Sequence, residues 1–149
     1  MRLWIDTEFN GYKGELLSMA LIDDDGREWY EVRLWHGEID PWVAANVVPV
    51  FDKPAIPLEL MRLRLRQFLG AYEAIHVVAD WPEDIEHFCA LLITGPGERI
   101  NTPPLTMEVR RDLNTNGSLT PHNALADARD LRRQGLMHNA ELTGRGPKE

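Results

Sequence analysis

The chain has a single cysteine, Cys89, in 149 residues. An internal disulfide and a multi-cysteine zinc cluster are therefore excluded, and with nothing asking for an oxidising compartment a cytoplasmic location is expected. Long hydrophobic runs are also missing. No stretch approaches the roughly 20 apolar residues of a membrane span, and the N-terminus opens on a strand-like segment instead of a charged-then-apolar leader, so no membrane partner is expected. Positive charge is scarce, with 16 Lys and Arg against 24 Asp and Glu and a net charge of -8. That balance argues against broad electrostatic capture of a long duplex, because such binding depends on Lys and Arg displacing counterions. It leaves room for chemistry on a short single strand, since carboxylates that hold divalent cations are neutralised by them and few phosphates need contacts.

What is present is enough apolar material, 44% of residues, for one full core. We expect one domain over 1–142 and a flexible tail over 143–149. No internal repeat or low-complexity segment interrupts it.

The first strand is expected at Arg2-Leu3-Trp4-Ile5-Asp6-Thr7-Glu8-Phe9, an apolar run that ends in two carboxylates one residue apart. A second apolar run spans 15–22, Asp24-Asp25-Gly26 reads as a hairpin turn, and Tyr30, Val32 and Leu34 alternate with Glu31 and Arg33 as in a half-buried strand. Three consecutive strands predict an antiparallel meander. Four prolines between His36 and Pro57 predict an irregular connection with at most a short helix near 41–47. Leu58, Met61, Leu65, Phe68 and Leu69 follow helical spacing and stop at Gly70, with Arg62, Arg64 and Arg66 on the solvated face. A short strand over 74–79, the loop from Asp80 to Glu83 and a helix carrying Ile85, Phe88, Cys89 and Leu92 form a parallel-sheet unit. A last strand is expected at 105–109. Thr120 and Pro121 then predict a capped helix running to about Met137, with Leu125, Ala128 and Leu131 inward.

Acidic residues mark three junctions between core elements and loops. Asp6 and Glu8 share one face of the first strand and can converge on one hard cation. Asp80 or Asp84 stands at the second junction, and His122 with Asp127 at the third. Within a regular helix, residues five apart point about 140° away from each other, so His122 and Asp127 can meet only if His122 leans in from the helix entrance. His36, His76, His87 and His138 lack such partners and read as structural or solvent-facing. Asp130 reads as surface charge.

Asp-Thr-Glu near the start and His-Asn-Ala-Leu-Ala-Asp-Ala near the end form a specific pair, and in order and spacing the chain resembles the DEDDh branch of the DnaQ-like 3'-5' exonucleases. Asp-Thr-Glu-Phe and the stretch Pro-Trp-Val-Ala-Ala-Asn-Val are most similar to the RNase AS-type exoribonucleases. The resemblance implies an α/β, ribonuclease H-like mixed five-stranded sheet, the three-stranded antiparallel meander plus two parallel strands, flanked by helices. It implies two Mg²⁺ or Mn²⁺ ions per site, held by Asp6, Glu8, Asp84 and Asp127, with His122 as general base. In the middle motif the usual His or Asn is replaced by Asp80; Asp84 then takes the metal-linked position, and Asp80 becomes an acid that either supports the metal ligands from behind or faces the substrate. Thr7 and Phe9 are the residues expected to hold the 3'-terminal nucleotide. Phe9 reads equally as a strand-end core residue, and Trp81 is a second candidate for stacking on a base.

The activity implied is release of nucleoside 5'-monophosphates from the 3' end of single-stranded RNA or an RNA 3' overhang. A DNA exonuclease would use the same catalytic set, and a non-catalytic binding module would keep the fold without needing the acids. A zinc hydrolase lacks its His/Cys cluster. Five tryptophans and an acidic surface permit a homodimer.

Overall fold

The computed structural model describes residues 1–142 and Gly144; apart from that glycine, the expected tail 143–149 lies outside the described residues. In chain order the elements are β1 (Arg2–Phe9), β2 (Leu16–Asp23), β3 (Glu28–Arg33), α1 (Pro41–Asn46), a 3-10 turn (Val48–Val50), β4 (Ala55–Ile56) and α2 (Leu58–Leu69). Then come β5 (Ile75–Ala79), α3 (Pro82–Leu92), β6 (Ile93–Gly95), β7 (Glu98–Arg99), β8 (Leu105–Val109) and α4 (Ala124–Leu142). The main sheet runs β4-β3-β2-β1-β5-β8, while β6 and β7 pair separately. β1 to β3 form the antiparallel meander, and β5 and β8 continue the sheet in parallel from β1. This is the mixed α/β, ribonuclease H-like architecture the sequence implied, with six strands in place of five. The additional strand, β4, has only two residues and no alternation to read.

Helices on both faces explain why β1 is apolar without interruption. Leu3 and Ile5 pack with Met61, Leu65 and Phe88 from α2 and α3, whereas Trp4 packs with Ala124, Ala128 and Leu131 of α4. Because β1 and β5 are parallel, their carboxyl ends open on one edge of the sheet, where a crevice forms between the strand ends. The Asp23 carboxylate closes the first hairpin by accepting the amides of Asp25 and Arg27, each at 2.9 Å, and Gly26 supplies the positive φ of +97°.

Several expectations required correction. Glu31 is buried and held by Lys53 at 3.2 Å and Arg64 at 3.0 Å, because α2 covers the face that alternation had assigned to solvent, while Leu34 lies beyond the strand and is exposed. Arg62 donates to the carbonyls of Leu91 and Ile93 at the end of α3, so of the three arginines only Arg66 fits a purely solvated role. On α3, Leu91 joins Phe88 and Leu92 in the core, and Cys89 stays half-buried. Asp130 is buried and not a surface charge, accepting from Arg133, Gln134 and the Gly117 amide. Thr120 does not cap α4. Asn123 does, through the Ala126 amide at 3.0 Å, so the helix starts three residues later than Pro121 and continues past Met137 to Leu142.

α4 crosses β1 at Gly135. A Cβ there would stand 2.0 Å from the fully buried ring of Trp4. Helix propensity alone predicts that Gly135→Ala stabilises by about 1 kcal/mol. Overpacking costs about 1–3 kcal/mol in the opposite direction, so we expect a net loss of stability in urea unfolding. An unchanged or raised midpoint would show that the helix can lift off the indole freely.

Candidate active site

Strand alternation decides which way each side chain leaves β1. Trp4, Asp6 and Glu8 face α4, and Thr7 faces α3. Asp127 reaches the same place from the first turn of α4, Asp80 from the residue after β5, and Asp84 from the first turn of α3. The outcome is two groups of oxygens with one shared member. One oxygen each from Asp6, Glu8 and Asp127 lie within 4.8 Å of one another, and so do oxygens from Asp6, Asp80 and Asp84. Beside them is a cleft of about 240 Å³ lined by Asp6, Thr7, Glu8, Phe9, Asp80, Trp81 and Asp84.

The other expected site residues distribute as follows. The Thr7 hydroxyl donates to Asp84 Oδ1 at 2.6 Å, so that side chain orients an acid and does not face the cleft as a free donor. Phe9 belongs to none of the apolar clusters and stands against His87 with ring centroids 5.0 Å apart. Trp81 is 46% exposed. His122 precedes α4 by two residues, in a left-handed conformation with φ +70°, which brings it to the helix entrance as its spacing from Asp127 requires. Its ring meets Trp42 edge to face at 5.1 Å.

Electrostatics set this cluster apart from an ordinary acidic surface. Burial, and then the charges of Asp84, Glu8 and Asp127, hold the Asp6 carboxyl well above the usual carboxylate range. Burial followed by Asp127 and Asp84 pushes Glu8 up to about 9. Asp84, only 2% exposed, is pushed up to about 8 by burial, against the Thr7 hydroxyl bond that favours its charged form. Burial also raises Asp80 and Asp127, and the Ser118 hydroxyl and His122 amide beside Asp127 work the other way. Asp6 Oδ2, Asp84 Oδ2 and Asp127 Oδ1 are buried and meet no hydrogen-bond donor among the described residues. Buried acids with unused lone pairs are costly unless a cation meets them, and an all-oxygen set could hold a hard divalent ion in either group.

The pH dependence of stability follows from these shifts. Glu8 and Asp84 titrate near 9 and 8 in the folded chain against ordinary values of 4.5 and 3.8, so between about pH 4 and 9 the folded state binds more protons than the unfolded one. Their contribution to stability is therefore lost as pH rises through that window. In chelator, the melting temperature should be lower at pH 9 than at pH 6, and millimolar Mg²⁺ or Mn²⁺ should restore it. A metal-independent, flat profile would mean that the acids do not act together.

Trp42, Ser118, His87 and Arg111 were missed by sequence reasoning. Arg111 donates to the Asp80 carbonyl and lies 4.7 Å from the Trp81 ring. Nothing local marks these four, because each is placed by contact with a site residue and not by a pattern of its own: His87 stands against Phe9, Trp42 against His122 and Ser118 beside Asp127. Trp42 belongs to the Pro-Trp-Val stretch singled out in the sequence, and Asp40-Pro41 ahead of it, a cap followed by a first-turn proline, locates a helix; neither says what the helix faces.

No sequence-family profile matches the chain. A 3'-5' exoribonuclease of Mycobacterium tuberculosis, found in strain CDC 1551 / Oshkosh and again in strain H37Rv, is 34% identical to it over an alignment of 169 positions, gaps included, that covers 98% of each protein. The chain belongs to the family of these 3'-5' exoribonucleases.

Proposed function

We propose that the chain is a divalent-metal-dependent 3'-5' exoribonuclease of the DEDDh, DnaQ-like type, most similar to the RNase AS group, that shortens single-stranded RNA or RNA 3' overhangs and releases nucleoside 5'-monophosphates. The observation that carries this reading is the pair of carboxylate groups sharing Asp6. RNA as substrate comes from the relatives' names.

On this reading Asp6, Glu8 and Asp127 hold one Mg²⁺ or Mn²⁺ ion, and Asp6 and Asp84, with Asp80 beside them, hold a second. When bound, such a pair supplies positive charge to the attacking and leaving oxygens of an in-line phosphoryl displacement. His122 takes the proton of the attacking water as general base. Thr7 keeps Asp84 aimed at the cleft through its 2.6 Å hydrogen bond. Phe9 and Trp81 line the cleft, and on this reading they stack on unpaired bases, a sequence-tolerant contact that a short strand needs when few phosphates are neutralised. The lone free thiol, Cys89, suits a reducing, cytoplasmic setting.

The test is a time course on 5'-labelled single-stranded RNA with Mn²⁺, beside DNA of the same sequence. A ladder shortening from the RNA 3' end, absent in chelator, is expected. Faster shortening of DNA would move the assignment to a deoxyribonuclease, and no shortening of either strand would remove the catalytic reading.

A further inference from the structure

His122 is poorly secured by its own backbone. It lies outside α4, at a φ of +70° that non-glycine residues seldom adopt, and no hydrogen bond among the described residues fixes either ring nitrogen. A base must hold its lone pair toward the proton it removes, so some other contact has to orient the imidazole. Among the described residues, the ring partner of His122 is Trp42, at 5.1 Å and 85° between planes.

Trp42 does little for the fold. It is 55% exposed and absent from all three apolar clusters, and Val43 beside it anchors α1 against Leu17 and Val47. Its backbone is nevertheless firmly placed. Asp40 Oδ1 accepts the Trp42 amide at 2.9 Å, and the Asp40 amide donates in turn to Asn10 Oδ1 at 2.8 Å. Asn10 directly follows β1, the strand that carries Asp6 and Glu8. From the other side, Asn123 Nδ2 donates to the Val50 carbonyl at 3.0 Å, tying the entrance of α4 to the turn after α1. The indole is thus referenced to β1 and α4, the two elements that bear Asp6, Glu8 and Asp127.

We propose that Trp42 is a positioning residue, whose indole edge-to-face contact holds the His122 imidazole in its proton-accepting orientation. The inference rests on His122 being the base. Trp42 acts through His122, so its loss should lower turnover and leave RNA affinity unchanged, whereas an indole stacked on a substrate base would do the reverse.

The experiment measures kcat and KM on a short single-stranded RNA with Mn²⁺ for wild type, Trp42→Ala, Trp42→Phe and His122→Ala. We expect Trp42→Ala to lose on the order of 10- to 100-fold in kcat, the scale of a misplaced catalytic group, with KM within about 2-fold and Trp42→Phe recovering most of the loss. Should Trp42→Ala fail to fold, Trp42→Leu, which keeps apolar bulk without a ring, is read by the same two constants. An intact kcat, or a KM increase as large as the kcat decrease, overturns the proposal and makes Trp42 a substrate platform or a bystander. If instead His122→Ala keeps wild-type turnover, the base assignment itself fails. Inactive His122→Ala with normal Trp42→Ala removes this inference alone.

Discussion

Asp6→Asn should abolish nucleotide release from RNA and, in the same protein, abolish the rise in melting temperature on adding Mg²⁺ or Mn²⁺. Asparagine fills the same space, so the fold has no reason to change. What disappears is the one carboxylate common to both groups of oxygens. Removing a single preorganised electrostatic contact typically costs about 10²–10³-fold in kcat, and here one substitution disturbs both cation positions, so the loss should exceed that range. Metal-free Asp6→Asn should also melt higher than metal-free wild type at pH 8, because burial and four neighbouring acids disfavour the charged Asp6 carboxylate, a cost of folding that grows as pH rises above the ordinary carboxylate range and that a neutral amide does not carry. An inactive variant that is more stable without metal is a combination that simple misfolding cannot produce. Within the second group, Asp84→Asn should cost far more activity than Asp80→Asn, since Asp84 is the more deeply buried and is aimed by Thr7. Wild-type turnover in Asp6→Asn, or an unchanged metal response, would refute the shared-ligand reading.

The central strand and the helix faces were legible because burial on both sides of a sheet leaves a continuous apolar run, and burial on one side of a helix leaves a stripe. β1 and α2 were found at their observed positions for that reason. Glu31 and Asp130 were misread by the same logic. Glu31 is neutralised by Arg64 and Lys53 from distant elements, and Asp130 by Arg133 one turn along the same helix together with the Gly117 amide from the preceding loop; a charged pair on a helix looks the same in sequence whether a loop covers it or water does. The start of α4 was misplaced because Thr120-Pro121 and Asn123 are competing capping signals three residues apart; the winner was set by the Asn123 amide reaching Val50. The acids of the cleft could be found in the sequence, since each ends or begins a regular element. Phe9 and Trp81, which adjoin those acids in the chain, could be found with them, but the places of Trp42 and Arg111 could not, because both owe their positions to tertiary packing.

Replacing His122 tests a different part of the site. His122→Ala should reduce kcat by about 10²–10⁴-fold, the usual contribution of a positioned general base, while the Mn²⁺-induced rise in melting temperature stays at its wild-type size. The separation follows from geometry: the imidazole belongs to neither carboxylate group, whereas Asp127, five residues later, belongs to one. Asp127→Asn should therefore lose both activity and part of the metal response, although the two residues enter from the same short segment. Added imidazole should recover part of the activity, because His122 is only half-buried and truncation opens the space its ring occupied. If His122→Ala instead loses its metal response together with its activity, the ring is a ligand or a support for Asp127, and the proton must leave the attacking water by another route.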